Sequence, residues 1–175
     1  MSKKLKKMNL KIIERKIKNK NYTTIKTNSA FTTFYNELKD YFTNHKLLGT
    51  SLEIINDRYF IFNNNVTKCE AILIYHPDIC KIELLPTKDG TSVELYRLEM
   101  FKTGQGLGST FMDIFKNISK KTNIEILLKP GVLGIGVDDM SDVEYDDHMK
   151  KVRNFYHKQG FKRKGLKTRF WSNVA

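Results

Sequence analysis

The sequence predicts a mixed α/β fold, a single mainly antiparallel sheet with flanking helices, and three observations carry that prediction. Strand-like runs follow one another at short spacing between residues 52 and 85, which leaves room for hairpins but not for crossover helices. A further strand-like stretch, residues 92–100, leads into a glycine-rich turn, a helical stretch and a compact apolar strand. That order makes a parallel pair. The chain of 175 residues has no internal repeat and no long linker, so residues 1–175 read as one domain with one core. The pattern implies about six or seven strands and about four helices.

In chain order, residues 8–17 fit neither period, since Leu10, Ile12, Ile13 and Ile17 suit a first strand or a basic helix equally. Past the polar stretch 19–28, Ser29 reads as a helix N-cap. Phe31, Phe34, Tyr35, Leu38 and Phe42 then form an apolar stripe at helical spacing, which is core because a helix buries one face. Strand-like runs follow at 52–55, 59–62, 71–75 and 82–85, separated by Asn56-Asp57, Asn63-Asn64-Asn65, Pro77-Asp78 and the turn Lys88-Asp89-Gly90. After the strand 92–100 come a helix over about 108–121 and a strand at 124–128. A long loop, 130–147, precedes a helix over about 147–158. A hairpin, 161–163 with 168–171 around Lys164-Gly165, closes the chain.

Composition narrows the class. At 40% hydrophobic and 11% aromatic residues the chain reads as a folded soluble protein. No apolar run reaches the length of a membrane span, and the basic start lacks the apolar segment of a secretory signal, so a cytoplasmic location without membrane contact is expected. Cys69 and Cys80 form no metal or redox spacing and read as free thiols. The net charge of +12 is uneven. Residues 1–20 carry nine basic side chains against Glu14 alone, and residues 149–175 carry nine with no acid, so the body between them is mildly acidic. Basic ends suit nucleic acid or another polyanion; they equally suit solvated termini of a lysine-rich chain.

The chemistry concentrates at Gly104, Gly106 and Gly108, between the strand and the helix. A glycine turn opening a helix leaves backbone N–H groups unpaired at the positive end of the helix dipole, a place for a phosphate; an ordinary tight turn is the plainer alternative. The turn is not a P-loop, because no Lys-Ser/Thr pair follows it. A dinucleotide fingerprint needs a third glycine where Ser109 stands, and an acid at the end of the next strand, whereas Glu125 begins it.

Thr103-Gly104-Gln105-Gly106-Leu107-Gly108 resembles the Arg/Gln-x-x-Gly-x-Gly/Ala motif of the GNAT acetyltransferase superfamily, with Thr103 where Arg or Gln is usual. Downstream, Phe155-Tyr156-His157-Lys158-Gln159-Gly160-Phe161 is similar to that family's Phe-Tyr-x-x-x-Gly-Phe segment. The resemblance covers about residues 91–171. It implies a GNAT-like mixed sheet whose two central parallel strands splay, with the pantetheine arm of acetyl-CoA in the gap. It places the arm on the backbone of Leu98, Glu99 and Met100, and the pyrophosphate on the N–H groups of Gln105, Gly106, Leu107, Gly108 and Ser109. Thr103 removes one positive partner, for which Lys102 is the neighbouring replacement. The implied activity is acetyl transfer to a primary amine, a small amine or a protein lysine, with Tyr156 as general acid.

The base is less defined. Glu94 and Glu99 lie on the central strand, and side chains five apart point to opposite faces unless a bulge intervenes; Glu70 is a third candidate. The glycine-rich run 131–136 suits a lid better than a second phosphate site, since no helix follows directly. The acidic run 138–147 fails the calcium-loop pattern; beside an acceptor groove it would attract a cationic amine. His45, His76, His148 and His157 lack metal-ligand spacing. A non-catalytic GNAT-like module that binds nucleic acid or a protein through its basic ends is the competing class.

Overall fold

The computed structural model describes residues 18–19, 22–45, 49–62, 65–102, 104–131, 140–164 and 171–173. The stretch 8–17, Thr103, residues 132–139 of the glycine-rich and acidic runs, and most of the second arm of the closing hairpin lie outside the described residues. The elements are β1 (Thr23–Thr24), α1 (Ser29–Asn44), β2 (Ser51–Phe62), β3 (Asn65–His76), β4 (Cys80–Pro86) and β5 (Ser92–Met100). After these come α2 (Leu107–Thr122), β6 (Glu125–Leu128), α3 (Asp142–Lys158), β7 (Lys162–Arg163) and β8 (Trp171–Ser172). The strands form one 8-stranded sheet in the order β1-β3-β4-β5-β6-β8-β7, with β2 also pairing with β3. Among the described residues only β1–β3 and β5–β6 are parallel pairs. The fold is therefore mixed α/β with a mainly antiparallel sheet.

Strand register places the core. Ile72 opposes Leu84 and Ile74 opposes Ile82, so these side chains share a face, and Leu95 and Leu98 continue it on β5. Onto that face α1 lays Phe31, Phe34 and Leu38, and α2 lays Phe111 and Phe115, all fully buried. Tyr156 of α3 and Phe161 join the same core. The opposite face holds a smaller cluster, Cys69, Ala71 and Leu85. Both cysteines are free and buried, and burial pushes the Cys69 thiol up to about 12 and Cys80 to about 11. Neither is a nucleophile at neutral pH. Among the described residues no helix is long and apolar enough to cross a membrane.

Three boundaries differ from the sequence expectation. Asn56-Asp57 is not a turn between two strands: β2 is continuous through a bulge between Ile55 and Arg58. Asp57 takes φ 58 there, and its carboxylate holds Lys68 Nζ at 2.6 Å. Asn28, not Ser29, caps α1. Its side chain accepts from Phe31 N at 2.9 Å and donates to the Thr87 carbonyl at 3.1 Å, so one residue also ties the helix to the β4–β5 turn. Helix α3 begins at Asp142 rather than near 147, because Ser141 and Glu144 close a capping box. Residues 142–147 of the acidic run are thus the opening turns of a helix.

Candidate functional site

Strands β5 and β6 pair only from Ser92↔Glu125 to Leu95↔Leu128. Strand β5 continues to Met100 with β4 on one side and, among the described residues, no strand on the other. A sheet that parts in this way leaves backbone N–H and C=O groups of β5 open to a ligand. Beyond the fork lies a cavity of about 490 Å³. Leu98 and Met100 of β5 form one wall, and Val152, Phe155 and Tyr156 of α3 form another. The turn 104–109, Lys102, His148 and Lys151 also line it.

The turn is built by backbone conformation. Gly104 has φ 81 and Gly106 φ 72, left-handed values that suit glycine, while a Cβ on either would meet nothing within 4 Å. Gly106 starts α2 with no side-chain cap, and the first bond of the helix runs from Thr110 N to the Gly106 carbonyl at 3.0 Å. The N–H groups of Leu107, Gly108 and Ser109 precede it and have no partner within the helix. Gly108 serves packing: a Cβ there would lie 3.5 Å from Phe155 and 3.6 Å from Met100. The helix start is thereby seated against both cavity walls.

Tyr156 reaches the cavity wall from the buried end of α3, with its ring edge-on to Phe155 and Phe161 at 5.2 and 6.1 Å. Burial pushes its phenol up to about 12. Gln159 joins the two sequence motifs directly. Its Nε2 donates to Ser109 Oγ at 3.0 Å, and its Oε1 accepts from Lys116 Nζ at 3.1 Å. Sequence reasoning assigns Lys151 no role, carries Gln159 only as a position in the second motif, and sets His148 aside for want of metal-ligand spacing. His148 and Lys151 lie seven and four residues before Phe155 on one helix, a spacing that returns to one face and was the available signal.

The two glutamates of β5 lie elsewhere. Glu83 opposes Arg97, but Leu84 opposes Leu95, so Tyr96 is an extra residue and the strand bulges. The bulge puts Glu94 and Glu99 on the same face, the one away from the core, where the sequence period set them on opposite faces. Neither lines the cavity. Burial raises the carboxyl of Glu94 above its ordinary range. Glu99 faces Arg97, with Oε2 3.6 Å from Nη1. Beside them the buried Glu83 carboxylate gathers Arg58 at 3.4 Å and Lys81 and Arg97 at 3.7 Å. Glu70 accepts a hydrogen bond from the Thr27 hydroxyl.

Neither the protein-family models nor the curated proteins match this chain. Among solved structures, the crystal structure of the anti-CRISPR protein AcrVA5 aligns at 17% identity with a TM-score of 0.42, over 56% of this chain and 93% of that one. A likeness of that size carries no argument, and a functional assignment has to stand on the cavity itself.

Proposed function

We propose that the chain is an acetyl-CoA-dependent N-acetyltransferase of GNAT type that transfers an acetyl group directly to a primary amine. One observation carries this: the β5–β6 fork opens a cavity lined by an uncapped helix start and by Tyr156. The lining suits this donor. Leu98, Met100, Val152 and Phe155 offer apolar contact to a thioester arm. The unpaired edge of β5 offers amide partners at Leu98, Glu99 and Met100, and the N–H groups at 105–109 offer donors to a pyrophosphate.

Bound acetyl-CoA supplies the thioester: the amine nitrogen bonds to the acetyl carbon, and the C–S bond breaks. Backbone N–H groups on the open edge of β5 polarise the carbonyl oxygen. Tyr156 hands its phenolic proton to the departing sulfur. A phenol near 12 is a weak acid for a thiol of reference pKa about 8.5, so that donation is coupled to proton loss from the nitrogen, which becomes acidic as it bonds. The nitrogen's proton restores the phenol through solvent. Glu94 and Glu99 do not border the cavity, so either acts as base only through water; Glu94 sits in the last paired residues before the fork.

Thiol release from acetyl-CoA with a panel of amines, small amines and lysine peptides together, tests the assignment. Turnover with one acceptor class is the expected result. Tight acetyl-CoA binding without thiol release from any amine would make the chain a non-catalytic binding module instead.

A further inference from the structure

We infer that Gln159 is a positioning residue for the Tyr156 phenol: it pins the C-terminal end of α3 to the start of α2 and so fixes where the acid stands. The inference rests on the chain being an acetyltransferase with Tyr156 as its acid. The amide of Gln159 spans two residues of α2. Its Oε1 accepts from Lys116 Nζ at 3.1 Å, and its Nε2 donates to Ser109 Oγ at 3.0 Å. An ammonium group can only donate, so Lys116 fixes which end of the amide is the oxygen, and the NH2 faces Ser109. Lys116 is held in turn by Asp113 at 2.7 Å. Ser109, Asp113 and Lys116 follow one another at four and three residues, on one face of α2. Two bonds to that face restrain the rotation of the amide as well as its distance.

Little else orients helix α3. From Asp142 to Lys151 every residue is exposed except Met149, which is half-buried. Its packing against the core comes from Val152, Phe155 and Tyr156. Among the described residues, the side-chain hydrogen bonds that leave α3 are both made by Gln159. The apolar part of the junction is the approach of Phe155 to Gly108, where a Cβ would lie 3.5 Å away. Apolar contact is non-directional, whereas a hydrogen bond prefers a defined angle, so the orientation of the helix end falls to Gln159. That end carries Tyr156 three residues earlier. Its backbone is closed by Gln159 N on the Phe155 carbonyl at 3.1 Å and Phe161 N on the Tyr156 carbonyl at 3.0 Å. A movement at Gln159 therefore moves the phenol. Proton donation needs heavy atoms within about 2.6–3.2 Å, and a displacement of about 1 Å can cost roughly a hundredfold in rate.

Thiol release from acetyl-CoA, with the best acceptor of the amine panel, tests the pin in the wild-type chain, Gln159→Leu, Tyr156→Phe and the double variant. Leucine keeps most of the volume and removes both bonds. Gln159→Leu should lower kcat by at least about tenfold, and by no more than the roughly hundredfold that loss of the phenol itself costs. Acetyl-CoA affinity, read by calorimetry, should stay as in the wild type. On the Tyr156→Phe background the same substitution should lower kcat no further, since the group it positions is already gone. Ser109→Ala severs one of the bonds from the α2 side and keeps the backbone N–H. It should slow turnover with the same non-additive pattern, and it replaces Gln159→Leu if that variant does not fold. An equal loss on both backgrounds makes Gln159 merely structural, and an unchanged kcat leaves its bonds without a part in catalysis. Either result, or a loss confined to acetyl-CoA affinity, overturns the inference and leaves the acetyltransferase reading standing. Full turnover in Tyr156→Phe removes the role of the phenol and the pin with it. A wild-type chain that releases no thiol overturns both the pin and the acetyltransferase reading.

Discussion

At Gly106 the backbone sits at φ 72 and a Cβ would meet no protein atom within 4 Å, so a substitution there acts on stability through strain alone. Gly106→Ala should cost about 1 kcal/mol, or roughly 2–4 °C in Tm for a chain of this size, because an L side chain disfavours that conformation. Gly106→Val should in addition remove acetyl-CoA binding, which titration calorimetry reads; undiminished affinity would move the phosphate away from the turn. Tyr156→Phe keeps the ring packed against Phe155 and Phe161 and removes only the proton donor. Cofactor affinity should stay, and turnover should fall on the order of a hundredfold. Because burial holds the phenol near 12, the wild-type pH–rate profile should show no limb from this group in the neutral range. Glu94 carries a different signature. Burial raises its folded pKa, so its contribution to stability is present below the ordinary carboxylate pKa and is lost as pH rises through the raised value. Glu94→Gln should therefore be the more stable protein at neutral pH, with the gap closing in acid; thermal melts across pH would show it. Tyr156 and the glycine turn were legible as local motifs. The shared face of Glu94 and Glu99 was not, because a one-residue bulge at Tyr96 depends on the pairing of β4 with β5 and leaves no mark in β5 itself.

Short elements near the fork are held by single polar side chains. Glu125, read from sequence only as an acid in the wrong place for a dinucleotide, accepts from Lys164 Nζ and Ser172 Oγ at 2.6 Å each, and from Ser92 Oγ at 3.3 Å. It thereby joins β5, β6, β8 and the residue after β7. Burial pushes its carboxyl up, but the hydrogen bonds from Lys164 and Ser172 outweigh that and leave it lowered. A lowered folded pKa means stability present above the ordinary value of about 4.3 and lost as pH falls through the folded value. Glu125→Gln should cost about 1–2 kcal/mol at neutral pH and flatten the acid side of the stability curve. Denaturant melts at neutral and acid pH would check both. Asn173 acts likewise: its Oδ1 accepts from Ile126 N at 2.7 Å, and its Nδ2 donates to Ser119 Oγ at 2.6 Å. Turn chemistry misled where tertiary pairing decided. Asn56-Asp57 has the composition of a turn, yet β3 pairs on both sides of it and turns it into a bulge. The capping box of Ser141 and Glu144 was present in the residues, and the density of carboxylates around it concealed the helix start.

In the whole molecule, one face of the sheet carries the helices and the dominant core, with β4 and β5 at its centre. Hydrogen exchange should accordingly be slowest in β3, β4, β5 and α2. The two-residue strands β1, β7 and β8 should exchange much faster, since they contribute few ladder bonds and sit at or near the edges. Uniform protection across the sheet would contradict that division. The sequence by itself determined the elements whose signal is local: the stripe of α1, the meander β2 to β5, the glycine turn into α2, and the apolar strand that follows. Periodicity, turn composition and positive-φ glycines act within a few residues, so they are written along the chain. Tertiary structure alone decided where β6 leaves β5, which face Glu94 and Glu99 share, and that Gln159 reaches Ser109. It alone brought Lys151 to the cavity that Lys102 borders. Each of these depends on the register between strands, or on the docking of one helix against another, across dozens of residues. A one-residue change in that register moves every following side chain to the other face, and no local pattern records it.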